Sequence, residues 1–130
     1  MGQQQLLLII LGVIVVGIAV AVGITMFQDN AVSANRDAVT NDLVNLAARA
    51  QQYYRRPTAL GGGQGSFASC VFSQLSSKPT NANGSYVLSG AVLASVTLTG
   101  TGVETGNDNT TPVEVEMIVY ADSMTTTVSN

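Results

Sequence analysis

The chain contains no histidine, one cysteine and only 10% charged residues, with five Lys or Arg against eight Asp or Glu. Without histidine it lacks the commonest general base and metal ligand. A single thiol, Cys70, rules out an intramolecular disulfide and a cysteine-built zinc site, and is read as a small buried hydrophobe. No nucleophile can be matched with a base, so an enzyme is not expected, nor a cofactor or a metal. Basic residues are sparse and scattered. Arg36, Arg49, Arg55 and Arg56 offset Asp29, Asp37 and Asp42, whereas Lys78 stands alone against Glu104, Asp108, Glu114, Glu116 and Asp122. No patch suited to phosphate results, so nucleic acid is not an expected partner.

What the chain does have is concentrated at one end. The first 28 residues carry no charge, and Leu6–Ile24 is a run of 19 apolar or glycine residues. At about 1.5 Å per residue, such a helix spans a hydrocarbon core of about 30 Å. A cleaved secretory signal would need a basic start and a shorter apolar region. An ordinary membrane anchor would carry Lys or Arg on its cytoplasmic flank. Neither pattern is present.

From Asp29 to Arg56 there is neither proline nor glycine, and Val32, Val39, Leu43, Leu46, Ala50 and Tyr53 recur at helical spacing. Pro57 and Gly61-Gly62-Gly63 then end the pattern. The reading is a single helix over residues 1–56, apolar all round in 1–26 and amphipathic in 27–56. A glycine-rich exit loop follows at 57–66 and a β-rich head at 67–130. The fold class is therefore α+β: a long N-terminal helix and a small C-terminal antiparallel sheet, packed through Val39, Leu43, Leu46, Ala50 and Tyr53. An apolar helix needs cover on every side, from lipid or from copies of itself, whereas the amphipathic part needs one covering surface.

This arrangement, with Phe27-Gln28-Asp29-Asn30 at the point where the helix turns polar, resembles the type IV pilin and pseudopilin superfamily. The resemblance covers about residues 1–65. It implies a precursor cut after a glycine, methylation of the new amino terminus, storage in the inner membrane, and extraction by pilus assembly machinery into an extracellular homopolymeric filament. Gly2 and Gln3 flank one such cut; Met1 as the mature first residue is the other option. Family members usually carry a glutamate near the start of the apolar segment, where this chain has Gln5 or Leu7 according to which residue is first. A neutral residue there shifts assembly from charge pairing towards packing, which would engage Gln5, Leu6, Leu7, Gly12, Gly17, Gly23 and Ile24. The three glycines read first as packing notches and second as a weak point between Gly17 and Gly23.

In the head, strands are predicted near Phe67–Leu75, Tyr86–Gly90, Val92–Thr99, Val113–Ala121 and Met124–Val128, with turns at Asn83-Gly84 and Gly106–Asn109. Glu114 and Glu116 read as a solvated strand face, Gly61–Ser66 as an exit turn, and Tyr53 and Tyr54 as packing residues. Asn83 and Asn109 head glycosylation acceptor patterns. The function expected from the resemblance is that of a major pilin-like subunit. A pseudopilin or minor pilin of a secretion or DNA-uptake machine, and a membrane-anchored binding module, are the alternatives.

Overall fold

A computed structural model of the chain describes residues 2–130, so Met1, one of the two expected starts, lies outside the described residues. The element order is α1 (Gln3–Arg55), a 3₁₀ turn (Thr58–Leu60), α2 (Phe72–Leu75), β1 (Gly84–Ser89), β2 (Ser95–Thr105), β3 (Pro112–Tyr120) and β4 (Met124–Val128). The four strands form one antiparallel sheet in sequential order. The fold is thus α+β, a long N-terminal helix followed by a small antiparallel sheet, a layout consistent with a pilin-like architecture. The chain divides into two compact units, Met1–Ala31 and Val32–Asn130.

In the first unit α1 is regular throughout, with no interruption at Gly12, Gly17 or Gly23. Residues 2–30 are all exposed.

The second unit holds the core. Val39, Leu43, Leu46, Ala47, Ala50 and Tyr53 of α1 are buried against Tyr86, Val96, Leu98, Val113, Val115, Met117 and Val119 of the sheet, with Phe67, Cys70 and Leu75 closing one side. The expected stripe is therefore the packed face, with Val32 partly buried at its start. In β2 and β3 buried residues alternate with partly exposed ones, as a strand with one covered face requires. Glu114 and Glu116 lie on the less covered face.

Two glycines let the helix approach. A Cβ on Gly100 would lie 2.6 Å from Val39 Cγ1, and one on Gly102 would meet Asn35 Oδ1. Each is a place where the sheet surrenders a side chain so that α1 can come close. Beyond Gly102 the β2–β3 register shifts between Thr101 and Thr105. This irregularity turns the Val103 and Glu104 N–H groups to Asn35 Oδ1, at 3.1 and 3.2 Å.

Two sequence expectations are corrected. Phe67–Leu75 is not a strand: the chain turns, Gln74 Oε1 accepts from Val71 N at 3.0 Å, and a single helical turn follows. Its apolar residues reach the core at uneven spacing, Phe67, Cys70 and Leu75, which suits a turn and no ladder. The strand expected at Val92–Thr99 instead starts at Ser95 and continues to Thr105. Val92 and Leu93 belong to the preceding loop and are exposed. The predicted Met124–Val128 matches β4 at both ends.

Candidate functional site

The largest chemically coherent surface is the first part of α1. From Leu6 to Phe27 its large apolar side chains are 50–77% exposed, on every side of the helix. Leu6, Leu7 and Ile24 are among them, Gln5 is exposed beside them, and a Cβ at Gly12, Gly17 or Gly23 would meet no atom within 4 Å. Gly2 precedes the helix, and its carbonyl accepts from Gln5 N at 3.1 Å and Leu6 N at 3.5 Å. Thr25 is the one hydroxyl in this stretch, and it donates back to the Ala21 and Val22 carbonyls at 3.0 Å, so it adds no unsatisfied polar group. The helix is long and apolar enough to cross a membrane, with a mean hydropathy of 3.2 over its most apolar window. A surface this large and this apolar is far beyond the isolated patches a monomeric soluble domain tolerates.

The second unit offers polar chemistry that fastens rather than reacts. Asp42 Oδ2 accepts from Asn81 Nδ2 at 2.8 Å, Asn83 Nδ2 at 2.9 Å and Tyr86 Oη at 2.5 Å. Burial raises the Asp42 pKa, but the hydrogen bonds from Asn83, Tyr86 and Asn81 together reverse that, leaving it below the ordinary value. Burial, reinforced by the Asp42 carboxylate, holds the Tyr86 phenol well above its usual range. Asn81 Oδ1 in turn accepts from the Asn83 and Gly84 backbone N–H groups, which shapes the Asn83-Gly84 turn into β1. Asn35 completes the clamp by donating to the Asn83 carbonyl at 2.9 Å. An open cleft of about 560 Å³ adjoins this cluster, lined among others by Asp42, Asn45, Arg49, Gln52 and Lys78. Arg49 is already committed to the Leu75 carbonyl at 2.8 Å.

The remaining residues singled out in the sequence fall into place around this frame. Asn83 is partly buried and its amide is held by Asp42, whereas Asn109 is exposed with φ +55°. In the Gly106–Asn109 turn, Asp108 accepts from Thr110 N, Thr111 N and Asn130 Nδ2 through one oxygen and from Thr111 Oγ1 through the other. The Thr111 hydroxyl is the main reason its pKa is depressed. The carboxylate closes a turn. Cys70 is buried, and burial pushes its thiol up to about 11, so it carries little thiolate at neutral pH. Tyr53 lies in the core and Tyr54 packs on Phe67 with ring centroids 4.7 Å apart. Gly61–Ser66 is an irregular turn, with Gly61, Gln64 and Gly65 at positive φ.

Asn35 and Asp42 were not anticipated from the sequence. Their signal was present nonetheless: residues 35, 39, 42 and 46 share helical spacing, so these two polar side chains lie in register with the apolar stripe and must find partners on the sheet side. Compared with family models, curated proteins and solved structures, the chain matches none.

Proposed function

We propose that this protein is a structural subunit that polymerises through the apolar part of α1 into an extracellular filament of the type IV pilus kind, from a precursor held in the inner membrane. One observation carries the reading. Twenty-odd consecutive residues form a regular helix whose apolar side chains are exposed on every side, and such a helix is stable only when lipid or other apolar helices enclose it. A homopolymer supplies those helices from identical copies, and the membrane covers the same surface before assembly. The small-residue positions Gly12, Gly17 and Gly23 let neighbouring helices approach closely, and the neutral Gln5 adds hydrogen bonding without a buried charge.

The second unit suits a sheath. Asn35 and Asp42 are absorbed in fastening α1 to the sheet side, and Thr and Ser dominate the face turned away from the core. The reading is tested by electron microscopy of material sheared from the surface of the source cells, with mass spectrometry of the same fraction. Filaments composed of this chain are expected, and the amino-terminal peptide will show whether Met1 or Gln3 comes first. Retention of all the chain in the inner membrane, with no filament containing it, would sink the proposal and leave a pseudopilin or an anchored binding module as the better account.

A further inference from the structure

We propose that β4 is a self-pairing edge, through which the heads of two copies of this chain join their sheets antiparallel about a two-fold axis at Thr126. The two edges of the sheet differ. Beside β1 the segment 79–81 is laid down as cover: Tyr86 N donates to the Pro79 carbonyl, Asn81 N to the Gly84 carbonyl, and Thr80 bridges Ser85. Beside β4 no such segment lies among the described residues, and all five residues of the strand are exposed.

The register says which groups this edge presents. Tyr120 N donates to Ser123 O and Ser129 N to Glu114 O. With Ile118 opposite Thr125 and Glu116 opposite Thr127, these are the hydrogen-bonded pairs of the β3–β4 ladder. The N–H and C=O groups of Met124, Thr126 and Val128 therefore point outward. The usual devices that blunt an edge, a lysine, a proline or an inward charge, are missing from Met124-Thr-Thr-Thr-Val128. The turn that leads into it is held in place, since Gln51 Nε2 donates to the Tyr120 and Ser123 carbonyls and Arg55 Nη2 to Ala121 O.

A second copy fits this edge better than an arbitrary strand because the segment is self-complementary. With Thr126 opposite its own equivalent, Met124 falls opposite Val128 of the other copy at both ends. All three outward-facing positions then coincide, giving about six backbone hydrogen bonds. Met124 and Val128, 38% and 48% exposed, cover each other. No charge lies within the strand of a protein whose net charge is −3, so the approach opposes no carboxylates, and Asp122 falls beyond the strand opposite Asn130. A five-residue edge is small against the roughly 1,200–2,000 Å² of a stable interface, so a single pairing is weak and gains strength only where many copies are arrayed. Resting on the filament reading, this has a geometric result. A two-fold contact closes after two copies, so it cannot propagate a filament and instead joins the heads of neighbouring filaments.

The test uses the full chain in detergent, where the apolar segment is covered and the outcome does not depend on filament formation. Thr126→Cys places two thiols across a hydrogen-bonded pair at a Cα separation of about 5.5 Å, within disulfide reach. Thr125→Cys places them diagonally, at about 7–8 Å or more, and serves as the register control. Cys70 is buried and contributes little background. Mild oxidation is expected to give at least several-fold more dimer from Thr126→Cys than from Thr125→Cys. Thr126→Pro, which removes only an outward N–H, should reduce bundles to single filaments while leaving the circular dichroism spectrum of the chain unchanged. Equal cross-linking of the two cysteine variants, or cross-linking of Thr126→Cys to a different protein in cells, would overturn self-pairing. Absence of any filament from the unaltered chain, with the cross-link still formed, would overturn the filament reading and leave this one standing.

Discussion

Residues 3–31 and 32–55 belong to one uninterrupted helix, yet only the second part has a buried face. Both are rich in apolar residues, so hydrophobicity alone does not separate them. The difference is arrangement. In the first part Leu, Ile and Val occupy every side, and no single surface can cover them. In the second they form a stripe, with Asp37, Asn41, Ala48 and Gln52 among the residues on other faces, and one sheet suffices. A continuous backbone can therefore serve two solvents, provided that its side chains change pattern where the solvent changes.

The comparison is broken most severely by Val15→Lys. A lysine at the centre of an apolar span costs about 2.5–3.5 kcal/mol in membrane insertion. Filament yield in the sheared fraction should fall by more than about tenfold, while the thermal unfolding of the second unit stays unchanged. Unaltered filament yield would show that this segment is not the assembly surface.

Leu43→Ala makes the converse test. It empties a fully buried site between α1 and the sheet and should lower the stability of the second unit by about 2–5 kcal/mol. Membrane retention should not change. Denaturant titration of the detergent-solubilised chain reads the first quantity, and fractionation of cells reads the second.

Asn35→Ala sharpens the boundary near the start of the packed stretch. It leaves the Val103 and Glu104 N–H groups and the Asn83 carbonyl without their partner, at a cost of about 1–3 kcal/mol. Hydrogen exchange should quicken first at Val103 and Glu104. Uniform exchange loss across the sheet would instead mean that Asn35 supports the whole core.

The smallest effect is a pH dependence confined to the second unit. Because the folded pKa of Asp42 lies below its ordinary value of 3.8, its contribution is fully present above that value and is lost as pH falls through the folded pKa. The melting temperature of the natural chain should therefore drop more steeply below pH 4 than that of Asp42→Asn. Parallel curves for the two proteins would remove Asp42 from the acid response.

Much of this architecture was legible in the sequence because it rests on periodicity. The helix, its stripe and the alternation in Val113–Val119 all repeat at intervals that the backbone imposes. What escaped lacks such repetition. Phe67–Leu75 reads as a strand because β-compatible residues are clustered there, but its contacts are made from a turn. The extension of β2 to Thr105 was hidden because Gly100 and Gly102 give no side-chain signal, and their meaning appears only when Val39 and Asn35 are set against them. The Asp42 cluster joins positions 39 to 44 residues apart in the chain, and no local pattern announces a partnership at that distance. The exposed apolar surface of the first part of α1 was evident from the first line of the sequence, since it depends on composition alone.

The two faces of the sheet differ in how freely they can change over generations. On the inner face Gly100 and Gly102 leave no room for a side chain beside α1, and Val115 and Met117 are fully buried, so nearly any replacement disturbs the packing. On the outer face Ser85, Thr97, Thr99 and Thr101 are only partly buried and are not core residues. A lineage carrying this protein can redraw what its surroundings encounter, residue by residue, without renegotiating how the subunit folds.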